Sequence, residues 1–232
     1  MNGPTVVAID GPSGVGKSTV ARGVAERLGL PYLETGAMYR ALGWEIFFRN
    51  IDPRDREAVE KVAAELDLEL RATGSCGVEV LLGGRPLTPD VRRPEVSEIT
   101  SQTSSYPAVR KRMVMLQRQV ARRRGAVMEG RDIGSRVFPE TPFKFFLTAP
   151  LSVRVERRVR QLNDAGQTGL SRSAIEAEVA ARDQRDSQRE ESPLTLDDSY
   201  TGIDTGSMSA AEAVEAIVAS VERSTASRAD RC

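Results

Sequence analysis

The sequence predicts an α/β fold in which buried parallel strands alternate with helices. Three observations carry that prediction. The apolar run Val6-Val7-Ala8-Ile9 reads as a buried parallel strand. A glycine-rich loop follows it, and then Val20, Ala21, Val24, Ala25 and Leu28 recur at helical spacing, with Gly29 placed as a C-cap. Two more buried strands, Ala126-Val127-Met128 and Phe143 to Leu147, are separated by glycine-containing turns and bordered by helix-patterned sequence.

The loop is Gly11-Pro12-Ser13-Gly14-Val15-Gly16-Lys17-Ser18-Thr19 and fits the pattern G-x-x-x-x-G-K-[S/T]. Glycines let the backbone turn tightly and aim N–H groups at phosphate oxygens. The lysine reaches the outer phosphates and the Ser18 hydroxyl can hold Mg²⁺. The following helix adds its positive N-terminal end. An ordinary glycine-rich turn is the alternative. Strand, loop and helix in the required order favour nucleotide phosphate.

At 232 residues the chain can bury one substantial core. Lys+Arg and Asp+Glu are both 33, so net charge gives no pull toward nucleic acid or membrane. No run is long and apolar enough for a transmembrane helix, and no secretory signal is visible. A soluble, cytoplasmic protein is expected. Cys76 and Cys232 are too far apart in sequence to suggest a structural disulfide or a zinc site. The chain has no histidine, which removes His-based general bases, His triads and His-ligated metals. Chemistry must run on carboxylates, lysine, arginines, hydroxyls and backbone.

Pro31 to Glu34 reads as a short strand leading into Thr35-Gly36-Ala37-Met38-Tyr39-Arg40. Such strand ends line the ligand crevice of open α/β sheets. The alternative keeps Tyr39 in the core and Arg40 on a solvated helix face. Asp52-Pro53 opens a helix with Ala58, Val59, Val62, Ala63 and Leu66 on one face. Leu66 to Arg71 and Val78 to Leu82 alternate as strands, and Gly83-Gly84 turns the chain into Arg85-Pro86-Leu87. This antiparallel unit interrupts the β/α order and reads as an insertion forming a subdomain.

A short helix is expected from Pro94 and a long one from Pro107, the latter ending in Arg122-Arg123-Arg124, where the helix dipole favours cations. Arg110 sits at that helix's start, which favours a ligand contact over a dipole role. The strand at Ala126 ends in Glu129-Gly130-Arg131-Asp132-Ile133-Gly134, again at the ligand edge, with a buried Arg–Asp pair as the alternative. A helix bearing Arg154, Arg157, Arg158 and Arg160, a loop from Asn163 to Gly169, and a helix with a Ser173–Glu176 capping box form an arginine-rich hairpin. It reads as a mobile cover over phosphates or as a solvated, salt-bridged hairpin. Tyr200 to Asp204 is a last strand, Ser209 to Arg223 a last helix, and Ser224 to Cys232 a frayed tail.

In order, the glycine-rich loop, Thr35 to Arg40, Ser101-Gln102, Glu129 to Gly134 and Arg182-Asp183-Gln184-Arg185-Asp186 resemble bacterial cytidylate kinase along nearly the whole chain. That family often has Asp where this chain has Glu34 and Glu129; both changes keep the charge. The resemblance implies a P-loop NTPase-type parallel sheet with helices on both faces, an inserted monophosphate-binding subdomain with a small antiparallel sheet, and a helical lid. It places the core at about residues 1–37, 107–155 and 188–224, the insert at 38–106, the lid at 156–187 and a disordered tail at 225–232. It implies phosphoryl transfer from ATP, with Mg²⁺, to CMP or dCMP by a monomer without nucleic-acid or membrane partners.

By the same resemblance, the amides of the loop from Gly11 to Thr19 hold ATP, with Lys17 spanning the donor phosphates and Ser18 on the metal. Lys17, Arg131 and Arg182 are the catalytic cations. Arg157 and Arg158 serve ATP from the lid. Thr35, Tyr39, Arg40, Arg131 and Arg182 take the monophosphate, Ser101, Arg110 and Asp132 read the base, and Asp186 and Arg189 meet the sugar. Another small-molecule kinase acting on UMP, AMP or shikimate, a regulatory nucleotide-binding module and a nucleic-acid binder are the other readings. The first is separated by substrate, the second by turnover, and the third by a basic face that the zero net charge disfavours.

Overall fold

The computed structural model describes residues 4–74, 76–164, 166, 169–189 and 191–229. Among them, eight strands form one sheet. Its centre is β1 (Val6–Asp10), hydrogen-bonded in parallel to β6 (Ala126–Gly130) on one side and β7 (Phe143–Thr148) on the other. Outside these lie β2 (Tyr32–Glu34), parallel to β6, and β8 (Thr201–Asp204), parallel to β7. Every residue of β1 is buried because both faces are covered. Side chains still alternate between two cores. Val6 and Ala8 face one cluster with Leu33, Met128 and Met113; Val7 and Ile9 face another with Val24, Phe145 and Ile217.

The first cluster is covered by α2 (Thr35–Phe48), α3 (Arg56–Glu65) and α5 (Pro107–Arg124), the second by α1 (Lys17–Leu28) and α8 (Ala210–Ala229). The fold is therefore the sandwich of helices, parallel sheet and helices expected above. No helix among the described residues is long and apolar enough to cross a membrane.

The antiparallel unit comprises β3 (Leu68–Thr73), β4 (Gly77–Leu82) and β5 (Arg85–Pro86). It is not a detached sheet. A single parallel bridge, Tyr32 to Gly77, joins β4 to β2 and makes the unit the edge of the main sheet. A 3₁₀ turn (Pro89–Arg92) and α4 (Pro94–Thr103) complete this region. On the other side, α6 (Leu151–Asp164) and α7 (Arg172–Gln188) pack on a small core of their own: Val155, Leu162, Ile175 and Val179.

Several boundaries differ from expectation. Helix α3 starts at Arg56, because Asp52 closes a turn by accepting from Arg54 N (2.9 Å) and Asp55 is the N-cap, accepting from Ala58 N (3.1 Å). Helix α7 is capped by Ser171, which accepts from Ala174 N at 3.2 Å, so Ser173 and Glu176 form no capping box. Helix α8 runs to Ala229, past Arg223 and through most of the expected tail. Cys232 and its two predecessors lie outside the described residues, as do three residues of the loop from Asn163 to Gly169.

Gly11 ends β1 with φ +148°, and a Cβ there would sit 2.4 Å from the Leu147 carbonyl oxygen. Both the conformation and the space demand glycine. Gly11→Ala is expected to destabilise the chain by at least about 2 kcal/mol, read as a lower urea midpoint at unchanged slope.

Candidate active site

The C-terminal ends of β1, β2 and β6 open on one cavity of about 650 Å³, a volume typical of small-ligand sites. The loop between β1 and α1 forms one wall. Gly16 caps α1 in the left-handed conformation (φ 90°), turning the helix N-terminus toward the cavity. Ser18 and Thr19 are exposed to it. Lys17 is buried and donates from Nζ to the carbonyls of Gly11 (2.8 Å) and Pro12 (2.7 Å). Gly11 and Pro12 thus hold the lysine, and of the expected site residues they are the ones outside the cavity lining among the described residues.

Burial, helped by the charge of Arg131, pushes the Lys17 ammonium down to about 7. Arg182, on α7, is pushed down to about 10 by burial and then by Arg131, and its buried Nε has no partner. Arg131 itself, at the end of β6, donates from Nε to Asp186 Oδ2 at 2.7 Å. Three cations from three elements therefore converge on one low-dielectric space with their charges incompletely compensated. Such a cluster selects an anion.

Beside them, Glu34 at the end of β2 takes Arg40, one turn into α2, and Arg92 (3.0 Å) from the 3₁₀ turn. Burial opposes ionisation of Glu34, but the two guanidinium groups outweigh it and hold its carboxyl below the usual range. The Thr35 hydroxyl donates to the Glu129 carbonyl at 2.7 Å and fastens the ends of β2 and β6 together. The Glu129 carboxylate is buried and accepts from Tyr32 Oη at 2.6 Å.

At the far end, Arg110 is fixed by three partners: the Asp132 carboxylate, the Ser104 carbonyl (3.1 Å) and Ser192 Oγ (2.9 Å). Its guanidinium carbon lies 5.8 Å from the centre of the Tyr39 ring. Arg189 stands 4.0 Å from both Asp132 and Asp186. Ser101 Oγ and Arg189 Nη2 are buried without hydrogen-bond partners, and both residues line the cavity. Unmet buried polar atoms mark where a ligand's own polar groups belong.

Arg157 and Arg158 both line the cavity, but their present contacts are structural. Arg157 donates to Val15 O (3.3 Å) and Thr205 O (2.7 Å), bracing the loop against the end of β8. Arg158 pairs with Glu178 across α6 and α7 at 3.5 Å. Arg154, which sequence reasoning gave no site role, supports the loop through Ser13 O (3.2 Å) and pairs with Asp183. Asp10 was also missed. Burial pushes its carboxyl up to about 6, and it accepts from the amides of Ile133 (2.9 Å) and Gly134 (2.8 Å), fixing the segment that carries Arg131 and Asp132. An acidic residue at the end of an apolar strand, next to Gly11, was the available signal. Arg92 and Ser192 carry no sequence signal of this kind.

A family model described as "Cytidylate kinase" matches residues 7–223. The protein named "Cytidylate kinase" from Caldanaerobacter subterraneus subsp. tengcongensis is 40% identical, covering 94% of this chain and 95% of the relative. "Bifunctional pantoate ligase/cytidylate kinase" from Parasynechococcus marenigrum is 41% identical over 94% of this chain but only 44% of the relative. The chain thus spans less than half the length of that bifunctional relative. An uncharacterized protein from Eubacterium ventriosum superposes with a TM-score of 0.51 at 12% identity, covering 94% of this chain and 98% of that one, a likeness of fold alone.

Proposed function

The chain belongs to the cytidylate kinase family, and from that premise we propose that it transfers the γ-phosphoryl group of ATP to CMP or dCMP. The observation that carries this reading is the convergence of Lys17, Arg131 and Arg182 between a phosphate-binding loop and a pocket built on Ser101, Arg110 and Asp132. An oxygen of the acceptor phosphate attacks the γ-phosphorus, the bond to the β–γ bridging oxygen breaks, and ADP leaves. The attacking oxygen is already anionic, so no general base is needed, in keeping with a chain without histidine. Catalysis is alignment plus neutralisation of charge on the transferring group.

The amides of the loop hold the ATP phosphates, and Lys17 swings from its two carbonyls onto them. Arg131 and Arg182 take the transferring group. Arg40 and Thr35 take the acceptor phosphate, and Arg157 and Arg158 face the donor. Asp132 accepts from the cytosine amine, while Arg110 and Ser101 donate to its ring N3 and O2 acceptors. Uracil sets a carbonyl against Asp132, a mismatch of roughly 1–3 kcal/mol. Asp186 and Arg189 meet the sugar.

Among the described residues, no group of three His, Cys, Asp or Glu side chains is placed to hold a metal. The Ser18 hydroxyl and the Glu129 carboxylate at the cavity edge suit Mg²⁺ brought in on ATP rather than caged by protein. A Mg²⁺ ion held there would supply neutralisation of phosphate oxygens. We further infer a cytoplasmic site of action, from the two substrates.

Residues 156–187, which include most of the self-contained α6–α7 core, act as the lid, and residues 38–106 close over the monophosphate. Identical placement of that insert in crystals with and without CMP would contradict the second motion. Lys17 supplies another check. At pH 8 the free enzyme holds it largely neutral, and ATP phosphates restore its charge. ATP binding should then take up close to one proton, read as buffer-dependent enthalpy in calorimetry, and Lys17→Met should abolish that uptake. The reaction itself is tested by resolving products after incubation with ATP, Mg²⁺ and CMP. CDP and ADP in equal amounts are expected; ADP without CDP overturns the reading.

A further inference from the structure

Ser192 follows α7 and is one of two described non-glycine residues with positive φ, at 54°. It is buried. A serine rarely adopts this conformation, and such strain persists where the surroundings enforce it. Here the conformation presents two oxygens to two arginines. Oγ accepts from Arg110 Nε at 2.9 Å, and the backbone carbonyl accepts from Arg189 Nε. Those arginines flank the same carboxylate: Arg110 Nη2 bonds Asp132 Oδ2, and Arg189 Nη2 lies 4.0 Å from Asp132 Oδ1. Two residues further on, Leu194 N donates to Asp186 O at 2.7 Å and fastens the segment back onto α7.

Glycine would supply the backbone angle without strain but could not reach Arg110. Without the Ser192 hydroxyl, Arg110 keeps its hydrogen bonds to Ser104 and Asp132, both on its Nη atoms, and its packing over Tyr39, so its plane is free to tilt about the Nη bonds. We propose that Ser192 is a positioning residue for base recognition, setting the spacing of Arg110 and Arg189 about Asp132 and thereby the preference for cytosine over uracil. This rests on the cytidylate kinase reading of the same pocket.

The test compares Ser192→Gly with Ser192→Ala. Both lose the hydroxyl; only the alanine variant keeps the strained backbone. Both should lose roughly tenfold in the CMP-to-UMP ratio of kcat/KM, through a raised KM for CMP, with KM for ATP unchanged. Their melting temperatures should differ, the glycine variant being the more stable. Equal specificity loss at different stabilities assigns the effect to the hydroxyl. A ratio unchanged in both variants, or one that tracks melting temperature, overturns the inference while leaving the kinase reading intact. A wild-type enzyme with no preference for CMP over UMP overturns the cytosine-reading roles of the pocket and this inference with them, and one with no turnover of either overturns the kinase reading.

Discussion

Arg131→Met lowers kcat with CMP by about 10²–10³-fold, with a smaller change in KM for ATP. The reason lies in where Arg131 sits. It stands at the end of β6, its Nε is held by Asp186 at 2.7 Å, and its charge depresses both Lys17 and Arg182. That electrostatic tension is relieved when phosphoryl oxygens arrive between the three cations. In the proposed reaction, the oxygens of the transferring group would lose a preorganised partner without Arg131, at the point where charge redistributes. A second effect distinguishes loss of the Arg131 charge from simple loss of folding. With Arg131 gone, Lys17 keeps more of its proton in the free enzyme, so ATP binding at pH 8 takes up fewer protons than in the wild type. A variant that was merely unfolded would show no binding enthalpy at all.

The other large effect is at Asp132. Asp132→Ala removes the acceptor proposed for the cytosine amine and leaves Arg110 without its carboxylate in a buried setting. The kcat/KM for CMP should fall by about 10–10²-fold, and the value for UMP, which gains nothing from this carboxylate, should change far less. The CMP-to-UMP ratio then collapses toward one. Stability should also drop, by roughly 3–5 kcal/mol, because one member of a buried ion pair has been removed. Steady-state kinetics with both acceptors and a urea titration measure the two effects independently. Loss of turnover with an unchanged ratio would mean that Asp132 supports the fold without reading the base.

The sheet was legible because β1, β6 and β7 are short, largely apolar runs, the first two punctuated by glycine and the third by Pro142 and Pro150, and the loop after β1 names its chemistry outright. The antiparallel unit was legible as a hairpin through Gly83-Gly84, but its attachment to β2 was not. That junction is one bridge between Tyr32 and Gly77, a long-range pairing no local pattern announces. The start of α3 and the capping of α7 were missed because Asp52, Asp55, Ser171 and Ser173 are all competent caps, and only the folded geometry chooses between them. The arginines show the same limit. Position along the chain put Arg131 in the cavity and the family resemblance put Arg182 there, yet neither could show that Arg157 braces the loop through Thr205, or that Arg92 reaches Glu34 across 58 residues. Contacts of that kind depend on how separate elements meet, and Ser192 acquires its partners in the same way.

The activity proposed for this site is a phosphoryl transfer selective for the cytosine monophosphates. It is tested most directly by initial rates of ADP release with ATP and Mg²⁺ against CMP, dCMP, UMP and AMP at subsaturating concentration. Turnover with CMP and dCMP should run at least about tenfold above that with UMP and AMP. Equal rates with UMP would contradict the roles given to Ser101, Arg110 and Asp132, and no turnover with any of the four would contradict the kinase itself.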